Sequence, residues 1–184
     1  MSELLELVGA SAYGDEAMCA RYWEHETAQY RFVRACGAQL GRALFRALCG
    51  CAARLICGAR CAELAYDALS EWAASEQPLL QCLSLQGMLS GLEAYLAALD
   101  RWLGAQATLP ARAPELVEAR ARLDVAERSS EVALGLLAAL VAGSARVRAI
   151  LARAQRPIGL LVQLALARVT VSYTHLTLPT KRIV

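Results

Sequence analysis

Apolar residues recur along this chain at three- and four-residue spacing and nowhere alternate with polar ones, a pattern that predicts helices and no strands. One stripe runs Val33, Gly37, Leu40, Leu44, Ala47, Cys51, Leu55, Gly58, Ala62, Ala65, Leu69, Trp72; its four-four step at Ala47, Cys51 and Leu55 interrupts the heptad count. A second keeps heptad spacing through Leu116, Ala119, Leu123, Ala126, Ser130, Ala133, Leu137, Leu140, Ser144, Val147 and Leu151. Both seams mix leucine with Gly, Ala, Ser and Cys. Such small side chains let helix backbones approach closely, which predicts tight, nearly antiparallel packing of coiled-coil type. Between the stripes, Leu85, Met88, Leu89, Leu92, Tyr95, Leu96, Leu99, Trp102 and Leu103 make a broad apolar face. Only Glu93, Asp100 and Arg101 are charged between Gln77 and Ala111, so this helix is expected at the centre, with neighbours on several sides.

The breaks in the pattern are few. Gly14-Asp15 ends a short N-terminal segment, Ser75-Glu76-Gln77-Pro78 stops one helix and starts another, and residues 104–114 form a loop. Pro157 ends a further helix by removing an N–H and crowding the preceding turn. Helices are therefore expected at about 15–75, 78–104, 114–154 and 157–169. An unbroken first helix would be about 90 Å long against about 40 Å for the middle one. It is expected to break or bend at Gly37, Gly41, Gly50 or Gly58, where each glycine costs about 1 kcal/mol relative to alanine. The expected fold class is all-α, an antiparallel bundle of three to five long helices forming a single domain over residues 1–170.

Composition agrees. Of 184 residues, 57% are hydrophobic, led by 37 Ala and 32 Leu, which excludes a disordered chain. The longest uncharged apolar runs, Val132–Ala145 and Pro157–Ala167, fall short of the ~20 residues that cross a bilayer. The N-terminal MSELLELVGA is acidic, unlike a signal peptide. No transmembrane segment and a cytoplasmic location are expected.

The last fourteen residues differ from the rest. Residues 1–170 hold no Lys and three Thr, whereas the only Lys (Lys181), one of two His (His175) and three more Thr fall within 171–184. Val171-Ser172-Tyr173-Thr174-His175-Leu176-Thr177-Leu178-Pro179-Thr180 resembles the translation of a transposase adaptor used in sequencing libraries. The expectation is that 171–184 carries no native domain, that the bundle is incomplete at its C-terminus, and that the helix starting at Pro157 is a fragment. Setting aside Lys181 and Arg182 leaves 17 Arg against 17 Asp+Glu, a balance that disfavours nucleic acid as a partner.

Residue chemistry points to few reactions. His25, within Trp23-Glu24-His25-Glu26, is the single histidine before residue 171 and reads as a surface-paired side chain. A di-iron bundle needs Glu-x-x-His pairs, and position 22 is Tyr. The seven cysteines are Cys19, Cys36, Cys49, Cys51, Cys57, Cys61 and Cys82. On one helix, Cys49 and Cys51 sit about 200° apart, so they join Cys57 and Cys61 around a metal only if the helix unwinds at Gly50. Their odd number suits small buried side chains in a reducing compartment.

One charge pattern stands out. Six Arg and no acid lie between Glu26 and Glu63, and five of them, Arg31, Arg34, Arg42, Arg46 and Arg60, share an arc of about 120° on a continuous helix, with Arg54 off it. This arc is the candidate partner-binding face. Taken together, the residues favour a non-enzymatic bundle acting through protein–protein association or oligomerisation, with no cofactor. Two alternatives stay open. One is a cofactor-binding or enzymatic bundle whose site, near Glu24, His25 and Glu26 or near Cys57 and Cys61, lies partly beyond this chain. The other is a binder of anionic surfaces through the arginine arc, with membrane-surface contact disfavoured because the opposite helix face lacks Trp and Phe.

Overall fold

A computed structural model describes residues 2–36, 42–110 and 112–177, and the side chains among them except 42, 43, 79 and 167–177. The protein is all-α: among the described residues every regular element is helical. In chain order these are α1 (Ser2–Ala12), α2 (Glu16–Ala20), α3 (Ala28–Cys36), α4 (Arg42–Arg54), α5 (Ala59–Glu71), a 3-10 turn at Trp72–Ala74, α6 (Pro78–Leu83), α7 (Leu85–Thr108), α8 (Pro114–Gly143), α9 (Ala145–Arg153) and α10 (Gln155–Thr177).

The expected helix over 15–75 is thus several short ones, and each described break has a local cause. Asp15 caps α2 by accepting the Met18 N–H at 3.0 Å. Thr27 caps α3 by accepting the Tyr30 N–H at 3.1 Å, a cap signal missed in the sequence. The intervening turn is held inward by Trp23, which is buried and donates its indole N–H to the Leu55 carbonyl at 3.1 Å. That carbonyl lies at the second break, where Gly58 has φ +91, a conformation that disfavours any side chain. The Glu16 carboxylate also fills the space a side chain at Gly58 would need, and it accepts the Arg60 N–H at 3.3 Å. An acid on α2 therefore supplies the cap that α5 lacks in its own sequence. Gly50, another expected break point, is helical within α4, and Gly37 and Gly41 lie outside the described residues.

Two serines divide the later helices. Ser84 accepts the Gly87 N–H at 2.9 Å and separates α6 from α7. A Cβ at Gly87 would collide with the Gln81 carbonyl, so that tight junction requires glycine. Ser144 accepts the N–H groups of Arg146 and Val147 at 3.2 and 3.3 Å and donates to Glu63 Oε1 at 3.0 Å. There the axis turns by 119°. Ser144, placed by spacing in a continuous heptad seam, is buried as expected, but as the cap of α9.

The two stripes point inward. Val33, Leu44, Cys51, Leu55, Ala62, Ala65, Leu69 and Trp72 are buried, as are Leu123, Ser130, Ala133, Leu140 and Val147. The centre, however, is α8 rather than the charge-poor helix. α8 packs against α7, α4, α5 and α9, while α7 lies mainly on α8 with α6 and α10 beside it. α8 also joins two apolar cores. Its Leu123 belongs with Leu92, Leu99, Trp102 and Leu164; its Ala133, Leu136 and Leu140 belong with residues of α1 to α5. α7 has an exposed face after all, made of Ser90, Gly91, Ala94, Ala97 and Gly104. Small residues are tolerated in water, so a scarcity of charge does not by itself imply burial.

α10 runs through Thr177 instead of ending near 169. No proline or glycine interrupts it between Leu160 and Leu178, and each added residue of an existing helix gains a hydrogen bond cheaply. The packing of Tyr173 and Leu176, and everything at 178–184, lies outside the described residues. Among the described residues no single helix is long and apolar enough to cross a membrane.

Candidate functional site

The broken first stretch redistributes the arginines. Arg31 and Arg34 lie on α3, Arg42 and Arg46 on α4, and Arg60 on α5, so a single-helix projection no longer relates them. Arg31, Arg34, Arg46 and Arg60 are exposed, and the side chain of Arg42 lies outside the description. Arg31 donates to the Glu26 carbonyl at 3.1 Å. Arg60 is engaged within the fold, its guanidinium 2.6 Å from Glu24. Arg46 shares a groove of about 450 Å³ between α1 and α4 with Arg54, the arginine that the sequence projection excluded. The stem of Arg54 lies over Gly9 of α1. Neither Arg46 nor Arg54 makes an ion pair among the described residues, and Glu6 is the one acid in the groove lining. The two arginines share α4, and α1 supplies the opposite wall that makes a groove beside them.

The residues around His25 form a structural cluster. His25 stacks on Tyr30 with ring centroids 4.6 Å apart, and its Nε2 lies 3.5 Å from Glu71. The Tyr30 hydroxyl accepts the Trp72 indole N–H at 3.1 Å. These contacts fasten the turn before α3 to the end of α5, the surface pairing expected of His25.

The cysteines are all free thiols, and only Cys82 is exposed. Cys19 donates to the Ala12 carbonyl at 3.0 Å and Cys61 to the Glu16 carbonyl at 3.3 Å. Burial and the neighbouring Cys57 push the Cys19 thiol up to about 12 and Cys61 up to about 11. Burial likewise raises Cys49 to about 12 and Cys51 to about 11. Such thiols stay protonated at neutral pH and are poor ligands and nucleophiles. No group of three or more His, Cys, Asp and Glu among the described residues has an arrangement that holds a metal ion.

The most developed concavity lies at the other end of the molecule. α7, α8, α9 and α10 border a half-open cavity of about 480 Å³, walled by Leu89 and Leu92 of α7, Leu137 and Val141 of α8, Leu151 of α9 and Ile158 of α10. The 119° turn at Ser144 swings α9 across its end. Arg156 anchors the start of α10 by donating two hydrogen bonds of 2.9 Å to Glu93 on α7. The guanidinium holds the Glu93 carboxyl below its ordinary value of 4.5. From Pro157 to Ala167 α10 carries one polar side chain, the exposed Gln163. Leu160 and Leu164 are buried, while Ile158, Leu161 and Val162 are 45%, 50% and 54% exposed.

The fold and these surfaces define an all-α bundle with one basic groove and one apolar corner. Among known proteins, no family model, no curated protein and no solved structure matches the chain.

Proposed function

We propose that this bundle works by association, and that its binding element is the outer face of α10, paired with the same face of a second copy. The observation that carries the reading is the exposed stripe Ile158, Leu161, Val162 and Ala165, at helix-neighbour spacing, on a helix whose other face is already buried by Leu160 and Leu164. An exposed apolar stripe on a helix already buried on its other face gains by being covered. No residue from Pro157 to Ala167 is charged, so two such stripes meet without repulsion in a two-fold pair. One helix face is small beside the ~1,200–2,000 Å² of a standard interface, so the pair is expected to be weak and concentration-dependent. The free thiols suit a reducing compartment, in line with a cytoplasmic location. Sedimentation across a concentration series tests the reading. The chain should shift toward dimer, and the double change Val162→Glu, Ala165→Glu should hold it monomeric with its helix content intact. A chain monomeric at every concentration, or a double variant that pairs equally well, overturns it.

A second reading rests on Arg46 and Arg54, whose guanidiniums make no ion pair among the described residues and suit an anionic group on a partner at the α1–α4 groove. Binding of a polyanion such as heparin that weakens with salt, and weakens further in Arg46→Gln, Arg54→Gln, would support it. Binding unchanged in that variant would refute it.

A further inference from the structure

The cavity between α7, α8, α9 and α10 has a chemical character of its own. Thirteen residues line it, and twelve of them are Leu, Ala, Val, Ile or Pro. The thirteenth, Arg148, is its one charged lining residue. Arg148 is exposed, and its guanidinium has no hydrogen-bond or ion-pair partner among the described residues. Most other arginines of this region are engaged or remote: Arg156 is held by Glu93, and Arg146 by Glu63 at 3.4 Å. At about 480 Å³ the space lies within the ~300–1,000 Å³ range of small-molecule sites.

We infer that this cavity is a binding site for an anionic amphiphile, a single apolar chain ending in a carboxylate, with the chain among Leu89, Leu92, Leu137 and Leu151 and the carboxylate on Arg148. The argument is complementarity at both ends. An apolar chain leaving water gains roughly 25 cal/mol per Å² buried, and leucine and alanine walls offer no polar group that binding would strand. A planar guanidinium matches a carboxylate by paired hydrogen bonds, whereas a cationic head would be repelled. A neutral hydroxyl head can accept one hydrogen bond but lacks the charge and the paired geometry. The arginine stem contributes apolar wall while its head stays in water, so one side chain serves both ends. This site goes beyond the pairing proposed for α10 and does not rest on it: Ile158 and Leu161 belong to both surfaces, whereas Val162 and Ala165 lie outside the cavity lining and serve to separate the two.

The test compares three probes on the full chain by titration calorimetry: laurate and dodecyltrimethylammonium below their micelle concentrations, and dodecanol below its solubility limit. Laurate should bind at one site per chain, dodecanol more weakly and the cation weakest. Arg148→Gln should weaken laurate about tenfold and leave dodecanol unchanged, which erases the preference for the acid. Ala138→Trp and, separately, Ala152→Trp should block all binding. Both alanines line the cavity yet are exposed, so a larger side chain there fills it without overpacking a buried layer. Equal binding of the three probes, or laurate affinity unaltered in both tryptophan variants, overturns the site. The Val162→Glu, Ala165→Glu variant should bind laurate normally, so failure of the pairing and failure of the site are told apart.

Discussion

Arg156 grips Glu93 through two hydrogen bonds of 2.9 Å and reaches the Ser90 hydroxyl with a third of 3.2 Å, tying the first turn of α10 to α7. Both partners are exposed, so the bond adds little to global stability, but it decides where α10 starts. The helix leaves this anchor with Leu160 and Leu164 inward and Ile158, Leu161 and Val162 outward. The ion pair and the buried Leu160 and Leu164 together hold the helix that carries both a wall of the apolar cavity and the exposed stripe.

Replacing Glu93 with Gln should loosen α10 locally. Amide exchange over 158–166 is expected to quicken, while the global unfolding transition stays put. The pH dependence has a definite sign. Glu93 is held below its ordinary 4.5, so its contribution is present above that value and is lost as pH falls through the lowered one. Protection of α10 should fade on acidification in the wild type and not in Glu93→Gln.

α8 is the spine, so its core leucines should be costly to truncate. Leu140 and Leu136 are fully buried in the larger core, and Leu92 is fully buried in the smaller one. Each Leu→Ala change should cost about 2–5 kcal/mol in denaturant unfolding. A loss under about 1 kcal/mol at Leu140 would show that α8 is peripheral.

Ser144→Ala removes the acceptor for two N–H groups and the donor to Glu63, and it should destabilise by about 1 kcal/mol. Ser144→Thr keeps the hydroxyl and should recover most of that. If alanine and threonine behave alike in thermal unfolding, the cap is not what holds the α8–α9 turn.

Alkaline conditions should weaken the fold. Cys19 and Cys49 are raised to about 12, and Cys51 and Cys61 to about 11, from an ordinary 9.0. Raised groups keep their full contribution below the unfolded value and lose it as pH climbs toward the folded one. Stability should therefore decline from about pH 9 upward, and serine at Cys49 should flatten that decline. With a thiol reagent at neutral pH, exposed Cys82 should react first, and Cys19 and Cys49 only on unfolding.

The sequence by itself determined the all-α class and the residues of both seams, because helical periodicity is a local property that survives whatever the helices pack against. It also named Gly58 among four possible break points, of which Gly50 proved helical, and read His25 as a surface pair. It did not reveal which helix is central. Exposed alanine and glycine on α7 look the same in sequence as buried ones, and only the packing of α8 against both cores tells them apart. The caps at Ser84 and Ser144 were hidden for a related reason: a serine inside a continuous helical pattern, as Ser84 is in 78–104 and Ser144 is in the second seam, reads equally as a small packing residue and as the start of a new helix. Arg46 and Arg54 share α4, but a groove forms beside them only because α1 packs on that helix, and Arg148 stands at an apolar cavity because the chain turns by 119° before it. The walls of that groove and of that cavity come from residues far apart in the chain, and tertiary packing alone brings them together.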